Sequence, residues 1–172
     1  MDALPADRLR HEIIDGERFD TPPPSHRHQQ AVLRLMLLLL PYCDTIRVDL
    51  LFAPGAVTFS EFDQVTPDLF VLPRTDDGRL ATHFADVGRV LLAVEVLSPG
   101  SSHMDRVTKR VLYQANGVPE YWIVDTEACK VERWTPVSLQ AEVVSDTLMW
   151  QPLAELSTAL TIDLVPYFRS ID

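Results

Sequence analysis

The longest apolar run of the chain, Ala31 to Leu40, lies within HRHQQAVLRLMLLLL, and its dense apolar positions predict a largely buried helix. Ser25 is placed to cap that helix, and Pro41, which has no backbone N–H to give, is expected to end it. The run is too short to span a bilayer, which takes about 20 apolar residues. Before it, residues 1–24 read as an irregular segment closing on Thr21-Pro22-Pro23-Pro24.

Beyond the helix the pattern turns to β-branched and aromatic residues. Ile46 to Ala53 and Ala56 to Phe59, separated by Pro54-Gly55, predict a β-hairpin. A polar, acidic connection leads to a third strand, Asp68 to Leu72. A fourth, Arg89 to Leu97, is apolar almost throughout, as a strand covered on both faces of a sheet should be, yet Glu95 sits inside it. Ser98-Pro99-Gly100-Ser101-Ser102 then breaks the strand. His103 to Asn116 carries helical periodicity, with Val107, Val111, Leu112 and Ala115 expected on the packed side and Asn116-Gly117 as the stop. The remainder predicts strands at Tyr121 to Asp125, Cys129 to Trp134, Ala141 to Trp150 and Leu160 to Leu164.

A chain of 172 residues, 47% of them hydrophobic, can fill one substantial core, and no repeat or flexible linker divides it, so 1–172 is expected to be a single domain. Its formal charge of −10 argues against a general nucleic-acid coat protein. A carboxylate-rich cleft neutralised locally by divalent cations remains compatible with that charge. Cys43 and Cys129 belong to no CxxC or CxxH pair, which points away from a disulfide framework or structural zinc. With no signal-like N-terminus, the expectation is a soluble, cytoplasmic protein without a membrane span.

If the third and fourth strands pair antiparallel through the connection Pro73 to Gly88, Asp68 and Glu95 become neighbours. Two carboxylates close together near a core are costly unless a cation lies between them or one stays protonated. Mg²⁺ meets the first condition, since it takes a few carboxylate oxygens and leaves other positions to water and phosphate. Asp68 after a proline can equally cap a turn, whereas an ionisable group in a Leu/Ala/Val run demands a partner. Phosphodiester hydrolysis also needs a positive group beside the reacting phosphate. The position two beyond Glu95 is Leu97, which cannot serve. Lys109 lies on the next helix in a stripe with Asp105 and Tyr113. Alternatively, Ser102 and Asp105 form a capping box-like start, and Asp105 with Lys109 a surface pair.

The segment AVEVLSPGSSHMDRVTKRVLYQANGVPEYWIVD, with TPDLFVLP and SHRHQQAV before it, resembles the Uma-type putative restriction endonucleases, a branch of the PD-(D/E)xK nucleases. The likeness runs from about Ile13 to the LTIDLVPYF ending. It implies a restriction-endonuclease-like α/β core, a mixed β-sheet flanked by helices. It further implies Asp68 and Glu95 as metal ligands, the Val96 carbonyl completing the shell of Mg²⁺ (Mn²⁺ as substitute), DNA as substrate and a homodimer. The usual strand lysine is Leu97 here, and the resemblance places its role on Lys109. His28 matches the family's helix-start histidine, a candidate to bind phosphate or place water. Asp105, Tyr113 and Asp125 are expected as supports, with Trp122 in the core. Two rivals stand beside the nuclease. One is an inactive dimeric DNA-binding or regulatory module of the same fold, the other a hydrolase of small phosphoesters.

Overall fold

The computed structural model describes residues 9–74 and 89–171. Most of the connection expected from Pro73 to Gly88 therefore lies outside the described residues. The chain is α+β. Its main sheet has six strands in the order β10-β9-β8-β7-β6-β3, formed by Glu142–Val144, Lys130–Trp134, Tyr121–Asp125, Leu92–Val96, Leu69–Pro73 and Val48–Phe52. β7 and β8 run parallel and the other neighbours antiparallel, so the sheet is mixed, as expected. Because β7 is central, all five of its residues are buried. Val94 and Val96 face one core, which holds Leu35, Leu39 and Trp122, while Ala93 packs into the other with Leu112, Tyr113 and Ile123.

Helix α1, His26–Ile46, covers the first of these faces. Ser25 caps it, its Oγ accepting the His28 N–H at 3.2 Å. Ser25→Ala is expected to cost about 1 kcal/mol in urea unfolding; an unchanged midpoint would show that the cap is dispensable. The helix does not end at Pro41 but runs on to Ile46, where Arg47 turns it off at φ 59°. Pro41 is exposed, so losing one bond on the solvent side is tolerated. Buried Cys43 and the bond from the Tyr42 hydroxyl to the Thr158 carbonyl anchor the last turn.

Other expectations are corrected by the topology. The segment before Ser25 is not irregular throughout. It holds a hairpin, β1 (Arg10–Ile14) with β2 (Glu17–Thr21), turned by Asp15 and Gly16 at positive φ. The hairpin joins a four-stranded sheet in the order β2-β1-β5-β4, with β5 at Asp63–Val65 and β4 at Val57–Ser60. β3 and β4 are consequently not a hairpin, since β3 pairs with β6 and β4 with β5. Likewise Ala141 to Trp150 is two strands, β10 and β11 (Thr147–Trp150), in different sheets. β11 pairs with β12 (Leu160–Asp163), and a short helix that was not foreseen, α3 (Leu164–Arg169), begins at the last residue of the expected strand.

The helical stretch after β7 has an irregular start. Met104–Lys109 winds as a π-helix before α2, Arg110–Ala115, and Gly117 ends the turn at φ +66°. The wider i→i+5 winding shifts the phase of the side chains. Val107 and Val111, expected to be packed, are 43% and 52% exposed, while Asp105 and Lys109 are turned inward at 2% each. Ser102 does not cap this helix; its hydroxyl accepts from Arg106.

Candidate active site

Asp68, just before β6, and Glu95, near the end of β7, are brought side by side by the β6–β7 register, which pairs Leu69 with Val94. Both are almost fully buried, at 3% and 2% exposure. Lys109 enters from the π-helical stretch, which the Tyr121 hydroxyl holds by donating to the Asp105 carbonyl at 3.0 Å. Its ammonium donates to Glu95 Oε1 at 2.9 Å and stands 2.9 Å from Glu12 Oε2 and 3.7 Å from Asp105 Oδ1. Asp105 and Lys109 are therefore a buried pair, not a surface one. Tyr113 donates its hydroxyl to Glu95 Oε1 at 3.3 Å, fixing α2 against β7. Asp125 ties the same helical stretch to β8 through Arg106 Nη2 at 3.0 Å.

Two residues of the N-terminal hairpin were not foreseen. Glu12, 2% exposed, accepts the Thr66 N–H on Oε1 at 2.7 Å and faces Lys109 with Oε2. Arg10, two residues earlier on the same face of β1, donates to the Thr66 carbonyl at 2.8 Å and to Asp68 Oδ1 at 3.0 Å. Alternation of Arg10, Glu12 and Ile14 was the available signal, but a charged strand resembles an exposed one unless its partners are known.

His28 lies in the first turn of α1, and its Nε2 donates to Asp68 Oδ2 at 2.9 Å, beside the Val96 N–H on the same oxygen at 2.9 Å. Its Nδ1 is buried without a hydrogen-bond partner among the described residues. Burial would raise the Asp68 pKa. The bond and charge of His28, with Arg10 and the Val96 N–H, outweigh this and hold it below the usual carboxylate range. Glu95 moves the other way. Burial, opposed by Lys109 and reinforced by Asp68, Asp105 and Glu12, keeps it well above that range. Burial works against the charged form of Lys109, but Glu95, Glu12 and Asp105 outweigh it, so the ammonium stays protonated. Among the described residues, four buried carboxylates, Glu12, Asp68, Glu95 and Asp105, thus face two permanent cations, Arg10 and Lys109. The cluster holds surplus negative charge that a proton or an added cation must balance.

A cavity of about 350 Å³ opens on the cluster, lined by Arg10, Glu12, His28, Glu95, Asp105 and Lys109 among others. Asp68 sits behind this wall and is not among the lining residues. Among the described residues no three His, Cys, Asp or Glu side chains are set as a ready metal cage. The donor set instead fits a hard cation taken on one or two carboxylates with water. Beyond the surplus acid charge, Asp105 Oδ2 is buried with no hydrogen-bond partner among the described residues. No helix of the described residues is long and apolar enough to cross a membrane.

The fold is similar to that of a crystal structure from Anabaena variabilis described as a putative nuclease. The TM-score is 0.77 at 19% identity, over 98% of this chain and 95% of that one. This likeness places the chain among restriction-endonuclease-like folds. No curated protein matches the sequence. The family model described as putative restriction endonuclease matches residues 1–164, nearly the whole length, and the chain therefore belongs to the Uma2 family.

Proposed function

We propose that the chain is a Mg²⁺-dependent endodeoxyribonuclease of the cytoplasm, working as a homodimer. The observation that carries the reading is the convergence of Asp68, Glu95 and the buried Lys109 ammonium from three elements at one end of the sheet, beside an open cavity. Mg²⁺ would be held by Asp68 and Glu95 with the Val96 carbonyl. Once bound, it supplies a water of lowered pKa and a counter-charge for the phosphate. Lys109 holds a proton at the cavity wall, where a developing negative charge on phosphate or water is stabilised at close range. His28 orients Asp68 through Nε2 and keeps Nδ1 for water or phosphate.

The pairing of Asp68 Oδ1 with Arg10 favours a second reading, an inactive DNA-binding or regulatory module of the same fold in which Asp68 is already held by a protein cation. The two are separated by incubating duplex DNA, single-stranded DNA and a nucleotide monoester with the wild type, Asp68→Ala and Lys109→Ala in Mg²⁺ or Mn²⁺. Metal-dependent DNA cleavage is expected from the wild type alone, with each change costing on the order of 10²-fold or more. Binding without cleavage supports the second reading. Hydrolysis of the monoester alone, or cleavage that survives both changes, overturns the proposal.

A further inference from the structure

We infer that Glu12 is a positioning residue for Lys109, and that the β1–β2 hairpin is thereby part of the active site. The inference rests on the reading of Lys109 given above. A lysine ammonium rides on a flexible four-carbon stem and needs more than one anchor to stay in place. Here a Glu95 oxygen and a Glu12 oxygen each stand 2.9 Å from it, whereas Asp105 Oδ1, at 3.7 Å, lies beyond hydrogen-bond length.

Charge balance does not explain Glu12. Glu95 and Asp105 already place two acids within 4 Å of the ammonium, the cluster holds surplus acid, and every further buried carboxylate adds desolvation cost. What Glu12 adds is location. Its Oε1 is fixed by the Thr66 N–H, while Arg10 of the same strand grips the Thr66 carbonyl and Asp68. Thr66 is two residues before Asp68, so β1 sets the distance between Lys109 and Asp68 from one rigid strand. Without Glu12, Asp105, at 3.7 Å, is the nearest acid left among the described residues to draw the ammonium away from Glu95.

Lys109 and Lys130 are the two lysines of the sequence, and Lys130 has a side chain 32% exposed. Amine acylation read by peptide mass spectrometry therefore follows Lys109 against an internal reference. In the full chain, Glu12→Gln keeps an acceptor for Thr66 and removes the charge facing Lys109. Lys109 labelling is expected to rise about tenfold relative to Lys130, equivalent to losing roughly 1.4 kcal/mol of holding energy. With DNA and Mg²⁺, kcat should fall about tenfold while KM stays within twofold, and Glu12→Asp should restore part of the loss. Far-UV circular dichroism checks the fold. Should Glu12→Gln not fold, Glu12→Asp, which withdraws the charge by one methylene, is expected to raise labelling about threefold by the same conversion. Unchanged Lys109 labelling in a folded variant overturns the inference. If the wild type cleaves no DNA, the nuclease proposal fails, while the labelling still decides whether Glu12 holds Lys109.

Discussion

Lys109→Ala is expected to destabilise the fold by about 3–5 kcal/mol near pH 7 to 8, because it removes one partner from a buried ion cluster and leaves the others uncompensated. Glu12 and Glu95 would then face each other and Asp105 across the space that the ammonium fills. The pH dependence gives the cause away. Glu95 already has a folded-state pKa well above its ordinary 4.5, and Lys109 is the neighbour that holds it down, so the variant raises it further. An acid with a raised folded pKa contributes stability that is present below its unfolded value and lost as pH rises through its folded one. The deficit should therefore be larger at alkaline pH and shrink on acidification towards the folded pKa of wild-type Glu95, below which this acid is protonated in both proteins. Urea unfolding of the wild type and the variant across this range measures it. A deficit independent of pH would mean that lost packing, not unpaired charge, is the damage.

Asp68→Ala is expected to cost a similar amount, about 3–5 kcal/mol, with the opposite pH signature. Asp68 accepts from Arg10, His28 and the Val96 N–H, and its removal leaves three donors unmatched at one point. Its folded pKa is depressed below the ordinary 3.8, so its contribution is present above that value and is lost as pH falls through the folded one. The deficit should hold steady from pH 8 to 5 and close only below about pH 4. Unfolding curves for the two variants should thus diverge on mild acidification, Lys109→Ala recovering while Asp68→Ala does not. Parallel behaviour would contradict the assignment of Glu95 as the raised acid and Asp68 as the depressed one.

Much of the site was legible because it sits on the most regular part of the chain. The apolar run around Glu95 announces a strand covered on both faces, so a carboxylate inside it had to have a partner. Antiparallel pairing with the strand after Pro67 then left little choice about its neighbour. The inward turn of Lys109 was harder to read. A period of 3.6 residues puts Val107 and Val111 on the packed side, and the π-helical turn that reverses this carries no mark in the local sequence. Arg10 and Glu12 were passed over for a related reason. Both belong to a short, charged hairpin before a proline run, and its buried face exists only once β5 and Thr66 lie beside it.

The sequence by itself determined the central strand, the capped first helix, the acid pair Asp68 and Glu95, and the family to which the chain belongs, since each rests on local pattern or on residue identity at fixed spacing. Tertiary structure alone decided which strands share a sheet, how far α1 runs past Pro41, which face of the second helix is buried, and that Glu12 and Arg10 complete the charge cluster. The physical reason is common to all four. A buried charge or a broken helical bond is tolerated only when a group distant in the chain compensates it, and that compensation is written in contacts across the fold, not in neighbouring residues.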